Sequence, residues 1–202
     1  MKNILILFAH PVLEKSRVHK ILLDYIPKLE GITFNDLYEN YPDFDIDIER
    51  EQEMLLRHDI IIWQHPLYWY SAPALLKQWQ DLVLEHGWAY GKNGFALKGK
   101  KVFNAFTSGG GMQAYQHEGY QRCTITELLR PFERTAQLCN MAYLPPYWIS
   151  GTHKLELPQI YRYAEQYRNL LTALRVDNLK ADDMSHVSCL NDLIEVVQTN
   201  QA

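Results

Sequence analysis

A set of short apolar runs with no polar break constrains the fold of this chain most. Ile4-Leu5-Ile6-Leu7-Phe8-Ala9 has the composition of a strand covered on both faces, the situation inside a parallel sheet. A polar loop follows, and then Val18, Ile21, Leu22, Tyr25, Ile26 and Leu29 recur at helical spacing and end near Gly31. This is one β-loop-α unit, and the pattern repeats. Ile32 to Tyr38 reads as a second strand and Ile48 to His58 as a charged helix, while Asp59 to Gln64 forms a third strand with a helix from Pro73 to Leu84 behind it. Lys101 to Thr107 is a fourth strand, and Thr124 to Asn140 is helical. Met141 to Leu144, before Pro145-Pro146, is short enough for a fifth strand, and Leu157 to Leu174 makes the last large helix. Strands alternating with helices predict an α/β, doubly wound sheet, in which ligands bind beyond the carboxyl ends of the strands.

The rhythm breaks after Arg175, where Asp177, Asn178, Asp182 and Asp183 read as a polar linker to a short helix from Val187 to Val197. The expected organisation is therefore one domain over residues 1–175, followed by a C-terminal linker and short helix over 176–202. At 202 residues, 47% hydrophobic and 22% charged, the chain is long enough for one sizeable core. A formal charge of -4 and a pI near 6.1 give no electrostatic case for nucleic acid, and fall short of the acidity of a small carrier that docks on basic partners. Cys123, Cys139 and Cys189 lack metal-ligand spacing, and Met1-Lys2-Asn3 runs straight into strand residues, so a reduced cytoplasmic setting is expected. No apolar stretch approaches the roughly 20 residues of a spanning helix, which limits membrane association to peripheral contact.

Three loops fall at the carboxyl ends of the predicted strands. The first, His10-Pro11-Val12-Leu13-Glu14-Lys15-Ser16-Arg17-Val18-His19, delivers the chain into a helix N-terminus. Backbone N–H groups, the Ser16 hydroxyl and the Arg17 charge suit a monophosphate there; Ser16 also suits an ordinary N-cap. Neither glycine-rich signature of a dinucleotide fold or a P-loop is present, which weakens the ATPase and dehydrogenase readings. The second loop, Gln64-His65-Pro66-Leu67-Tyr68-Trp69-Tyr70-Ser71-Ala72-Pro73, holds an aromatic cluster between two prolines. Such a cluster offers ring faces to a planar ligand or packs at the sheet edge or a dimer interface, and the cluster alone does not choose. The third, Thr107-Ser108-Gly109-Gly110-Gly111, allows close backbone approach and N–H groups aimed at negative charge, or is a flexible turn. These loops follow the first, third and fourth strands, neighbours in the order 2-1-3-4-5, and their joint placement is far more specific than any one alone.

Here the chain resembles the flavodoxin-like NAD(P)H quinone oxidoreductases, in particular the bacterial branch with general stress protein 14 and the ancillary proteins of glutathione-regulated potassium efflux systems. The matching stretches are Ala9-His10-Pro11 with Ser16, Tyr41-Pro42-Asp43-Phe44-Asp45-Ile46-Asp47, Trp63-Gln64-His65-Pro66 with Trp69-Tyr70 and Pro73, His86-Gly87-Trp88-Ala89-Tyr90-Gly91, and Thr107 through Gly111. Ala114-Tyr115-Gln116, Glu127-Leu128-Leu129-Arg130-Pro131-Phe132 and Leu144-Pro145-Pro146 match as well. The resemblance implies a flavodoxin-like three-layer sandwich with a five-stranded parallel sheet. It further implies that His10 and Ser16, Arg17, Val18 and His19 hold a ribityl phosphate, that Pro66, Leu67, Tyr68, Trp69 and Tyr70 pack on the flavin ring, and that Thr107, Ser108, Gly109, Gly110 and Gly111 line its pyrimidine edge. By the same resemblance Tyr115 and His117 are the candidate proton relay. The implied activity is two-electron, ping-pong hydride transfer from NADH or NADPH to a quinone through FMN, with FAD as the alternative cofactor and a homodimer as the assembly. The alternative roles are an ancillary subunit on a potassium efflux transporter, peripheral on the inner face of the cell membrane, and a flavodoxin-type one-electron carrier.

Two further motifs suggest metals at first sight. His65 and His86 have no second ligand at suitable spacing and read as buried, hydrogen-bonded histidines. Asp43, Asp45, Asp47 and Glu49 lack the spacing of a calcium loop, and Asp45 and Asp47 read as caps of the charged helix.

Overall fold

Strand β1 (Ile4–Phe8) is buried at every residue, and its side chains divide by parity. Ile4 and Ile6 enter a layer shared with α1 (Arg17–Asp24), α6 (Leu157–Arg175) and α7 (Leu190–Thr199). Leu5 and Leu7 enter the opposite layer, built by α3 (Ile48–Arg57), α4 (Ala74–Val83) and α5 (Ile125–Leu138). The same alternation runs through β3 (Ile60–Pro66) and β4 (Lys101–Thr107): Ile60, Ile62 and Phe103 face one layer, and Ile61, Trp63 and Val102 the other. Two apolar faces on one strand demand helices on both sides, and that requirement produces the three layers. The computed structural model describes residues 1–26, 30–179, 184 and 186–199, the last five by backbone alone.

The strands run in the order β2-β1-β3-β4-β5, with every neighbouring pair parallel, as the sequence predicts. The register sets Phe8 beside Gln64 and Pro66 beside Thr107, so β1, β3 and β4 end together. The strand expected over Met141 to Leu144 is shorter than predicted, and a further strand that was not expected follows it. β5 (Ala142–Tyr143) pairs with the start of β4, and β6 (Tyr147–Ile149) pairs with its end, giving six strands among the described residues. Pro145 and Pro146 lie between them and carry no N–H to donate to the ladder, which is why the strand is interrupted. Asn191 on α7 covers the outer edge of β6: its side chain accepts from Trp148 N (2.9 Å) and donates to Trp148 O (3.1 Å).

Element ends moved for identifiable reasons. β2 (Ile32–Asp36) stops before Leu37 because Asp36 accepts from the N–H groups of Tyr38 and Glu39 and starts the single turn of α2 (Leu37–Asn40). Asp47 alone caps α3, by accepting from Arg50 N, while Asp45 stays exposed. α1 closes at Asp24, and the part of its predicted stripe at Leu29 lies outside the described residues, as do Asp182 and Asp183. Among the described residues no helix is long and apolar enough to cross a membrane.

Among the described residues, one charged side chain sits wholly inside. Glu51 is 0% exposed and accepts from Asn35 Nδ2 (2.9 Å), Tyr41 OH (2.6 Å), Arg50 Nη1 (2.9 Å) and Trp79 Nε1 (2.8 Å). These donors come from β2, the loop after α2, α3 and α4, so one carboxylate ties that half of the sandwich together. Burial and the neighbouring Glu51 push the Tyr41 phenol up to about 12. Removing a buried charge while its partners remain costs roughly 3–5 kcal/mol. Glu51→Ala is therefore expected to lower the unfolding free energy in urea by about that much, and Glu51→Gln, which keeps the shape, by about 1–3 kcal/mol.

Candidate functional site

The three loops converge on one cleft of ≈ 470 Å³ at the carboxyl edge of the sheet. His10, Ser16, Arg17 and Val18 form one wall; Pro66, Leu67 and Tyr68 form the next; Thr107 and Gly109 close the third. All nine were sequence candidates. Val12, Lys15, Thr152 and His153 also line the cleft and were not. Thr152 and His153 follow β6, the short strand that the prolines hid.

In the first loop, residues Leu13–Lys15 make one 3-10 turn before Ser16 caps α1 by accepting from His19 N at 3.1 Å. That bond uses the Ser16 oxygen as acceptor and leaves its O–H to donate, beside the Arg17 and Val18 N–H groups that open a helix without intrahelical partners. The Arg17 guanidinium is anchored on Leu155 O at 3.0 Å, and Lys15 lines the same wall. The donor set of hydroxyl, helix N–H groups and cations suits a phosphate monoester.

His19 turns away from the cleft. Its Nε2 meets Thr107 Oγ1 at 3.1 Å, its ring lies edge-on to His10, and its Nδ1 has no partner among the described residues. Only its N–H serves the first loop directly.

The second loop is a two-residue hairpin. Tyr68 and Ser71 exchange backbone hydrogen bonds of 3.1 and 2.9 Å, and the central residues Trp69 and Tyr70 have φ of 48° and 63°. Positive φ at both centres defines the tight hairpin turn that Asn-Gly would form without strain; here two aromatic residues occupy it. Trp69 is 93% exposed, while Tyr68 lies edge-on to the His10 ring (6.1 Å between centroids) and lines the cleft. Strained backbone of this kind persists where the surroundings fix it and is concentrated at functional sites.

In the third loop, Ser108 is buried, donates to Gly110 O (2.9 Å) and accepts from Trp148 Nε1 (2.9 Å). The loop after β6 is bound to it through Gly151 N to Gly110 O and Thr152 N to Ser108 O. A Cβ on Gly109 would lie 2.5 Å from His153 Nε2, so only glycine lets this side chain pack there. None of the N–H groups of Gly109, Gly110 and Gly111 donates to another described backbone group. They remain available to an acceptor, as in a nest.

Tyr115 packs under the glycines, its Cε2 3.1 Å and its Oη 3.4 Å from where a Gly110 Cβ would stand, with its ring edge-on to Trp148 at 5.7 Å. Burial raises its phenol pKa. His117 is exposed, 3.8 Å from Glu127, and does not line the cleft. His65 is buried as predicted, but His86 is not: it lies exposed in the 86–91 loop, its ring covering Gly91 and meeting Tyr90 edge-on. That loop closes on itself through Gly87 N to Tyr90 O, which keeps the imidazole at the surface. Among the described residues no cluster of His, Cys, Asp and Glu could hold a metal ion.

A parallel sheet in the order 2-1-3-4-5, with an anion-type helix N-terminus, an aromatic turn and a glycine loop at its carboxyl edge, defines a flavodoxin-like α/β protein. The chain belongs to that family: the family described as having the flavodoxin-like fold matches residues 2–171. It is 44% identical over 171 residues to the glutathione-regulated potassium-efflux system ancillary protein KefF of Enterobacter sp. (strain 638), covering 83% of this chain and 94% of that one. Among solved structures it is similar to general stress protein 14 from Treponema denticola in complex with FMN, with 41% identity, a TM-score of 0.81, and coverage of 85% and 99%. It is also similar to an NADPH-quinone reductase from P. pentosaceus, with 36% identity, a TM-score of 0.76, and coverage of 83% and 96%.

Two outcomes follow from this geometry. Trp69→Asn, which removes an exposed ring from a left-handed position, is expected to raise the unfolding free energy by about 0.5–1 kcal/mol while weakening whatever stacks on the turn. Burial, above all, holds His10 and His19 below 6.5 and His65 at about 4. The unfolded chain therefore binds more protons than the native one below pH 6.5, and stability that is complete above that value is lost as pH falls toward about 4. Urea midpoints measured from pH 7 to 5 should decline, and His65→Phe should flatten the decline.

Proposed function

We propose that this protein is an FMN-dependent NAD(P)H oxidoreductase that reduces quinones by two-electron, ping-pong hydride transfer. The observation that carries the proposal is the convergence of Ser16, Tyr68 and Gly109 on a single cleft at the end of β1, β3 and β4. FMN binding in the related general stress protein 14 and the activity named for the related NADPH-quinone reductase support it.

In this reading the Ser16 hydroxyl, the Arg17 and Val18 N–H groups and the Lys15 and Arg17 cations hold the phosphate of FMN. His10, Pro66, Leu67 and Tyr68 bound the space for its ring. When bound, FMN supplies two-electron hydride chemistry. The free N–H groups of Gly109, Gly110 and Gly111 stabilise negative charge along that edge, in a site partly closed to water. Tyr115 Oη, under Gly110, holds a proton for the acceptor, with burial keeping it protonated at neutral pH. His117 reaches the cleft only by swinging in from Glu127. Trp69, Met112 and Tyr120 are each well exposed, and exposed aromatic and methionine side chains of this kind suit the interface of a homodimer in the cytoplasm. The relation to KefF supports a second role, docking on a potassium efflux transporter at the inner face of the membrane.

The purified protein is expected to be yellow, to release FMN on acid treatment, and to oxidise NADPH or NADH with menadione as acceptor. A colourless protein that ignores added FMN and FAD and leaves the nucleotide unoxidised would overturn the proposal. Ser16→Ala and Arg17→Ala should each weaken FMN binding by about 3- to 30-fold, the range expected for losing one capping or charge contact at a helix N-terminus. Co-purification with a transporter, or its absence, decides the docking role.

A further inference from the structure

A line of polar groups, half-buried at Tyr143 and fully buried at Asn104 and His65, crosses the layer between the sheet and α5 and ends at the cleft. Tyr143 OH on β5 donates to Asn104 Oδ1 on β4 at 2.6 Å. Asn104 Nδ2 meets His65 Nε2 on β3 at 2.9 Å, and His65 Nδ1 meets Pro66 O at 2.9 Å. The chain has one self-consistent direction. Asn104 Nδ2 can only donate, so His65 Nε2 accepts; the imidazole hydrogen is then on Nδ1 and is given to the Pro66 carbonyl. Two phenyl rings fix the plane of the imidazole, Phe132 at 5.5 Å and Phe106 at 6.2 Å, both within 22° of parallel.

The far end of this line matters for the site. The peptide joining Pro66 to Leu67 is held at both of its polar atoms: its carbonyl by His65, and its N–H by Thr107 O at 2.7 Å. Pro66, Leu67 and Thr107 all line the cleft, and the strained turn at Trp69 and Tyr70 begins just after them. Burying an amide and an imidazole among aromatic rings is costly unless every group is paired, and apolar side chains would fill the same space at lower cost. His65 and Asn104 are both 0% exposed, and the burial that depresses the His65 pKa keeps the ring neutral, so that its two hydrogen-bond partners choose the tautomer.

We infer that Tyr143 and Asn104 are positioning residues for the cofactor cleft: they lock His65 in its Nδ1–H tautomer, which fixes the Pro66–Leu67 peptide from which the aromatic wall is hung. None of the three needs to touch the ligand. The inference rests on the flavin reading of the cleft for its consequence, and on the hydrogen-bond chain alone for its cause.

The test uses the full-length protein with ¹⁵N-labelled histidine. In the wild type, the His65 nitrogen shifts should report Nδ1 protonated and Nε2 bare, with or without FMN. Tyr143→Phe, which removes only the oxygen, frees Asn104 to turn over and should give a mixed or inverted tautomer, with FMN bound about tenfold more weakly. Asn104→Leu, similar in volume and apolar, takes the donor away from Nε2 and leaves the Pro66 carbonyl alone to orient the ring; its Nε2 shift should move and FMN should bind more weakly by a similar factor, and it serves as the second variant should the first fail to fold. A merely structural role would lower the melting temperature and leave the tautomer and the FMN affinity alone. An unchanged tautomer in Tyr143→Phe, or an FMN affinity unchanged in either variant, overturns the inference. A wild type that binds no flavin overturns the flavin reading instead, and the tautomer of the apoprotein still decides the hydrogen-bond chain.

Discussion

The parallel pairing of β1, β3 and β4 is the constraint on which the rest of the structure depends. Parallel strands cannot be joined by a tight turn, so each must be followed by a crossover, and all three crossovers start from the same edge. With Phe8 beside Gln64 and Pro66 beside Thr107, that edge is level to within a residue or two. An aromatic turn, a capped helix and a glycine loop with little individual meaning are thereby brought to one place. The apolar residues on both faces of each strand hold the edge rigid, because any slip would carry a buried side chain to the wrong layer.

Polar groups inside this scaffold divide into two kinds. Glu51 gathers four donors from separate elements and serves the scaffold itself. His19, His65 and Asn104 sit directly behind the cleft and are buried next to it rather than in it. The first kind stabilises a tertiary arrangement; the second fixes the orientation of peptide groups that a ligand meets. His19 joins the first loop to the third through Thr107, and His65 joins the second loop to β4 through Asn104. The strained turn at Trp69 and Tyr70 is closed instead by the paired backbone bonds of Tyr68 and Ser71, with Tyr70 OH donating to Gln121 Oε1.

Much of this was legible in the chain. Unbroken apolar runs such as Ile4 to Ala9 announce a doubly covered strand, and the order of loops announces the cleft. Where the reading fell short, a competing local interaction had taken over. Asp36 caps a turn of helix and cuts β2 short; Pro145 and Pro146 split the last strand and conceal β6. Missing β6 meant missing Thr152 and His153, which no periodicity signals because they lie on a loop after three residues of strand. His86 reads like His65, but only one of them lies on a strand between two layers.

The sequence by itself determined the periodic features: which segments are strands or helices, that the strands are parallel, and which three loops share an edge. These depend on the spacing of apolar side chains and on local turn chemistry. Tertiary structure alone decided the pairings between distant residues: Glu51 with Trp79, Tyr143 with Asn104 and His65, and His153 against Gly109. A hydrogen bond requires two groups within about 3 Å in the right orientation, and that coincidence is set by packing across elements far apart in the chain.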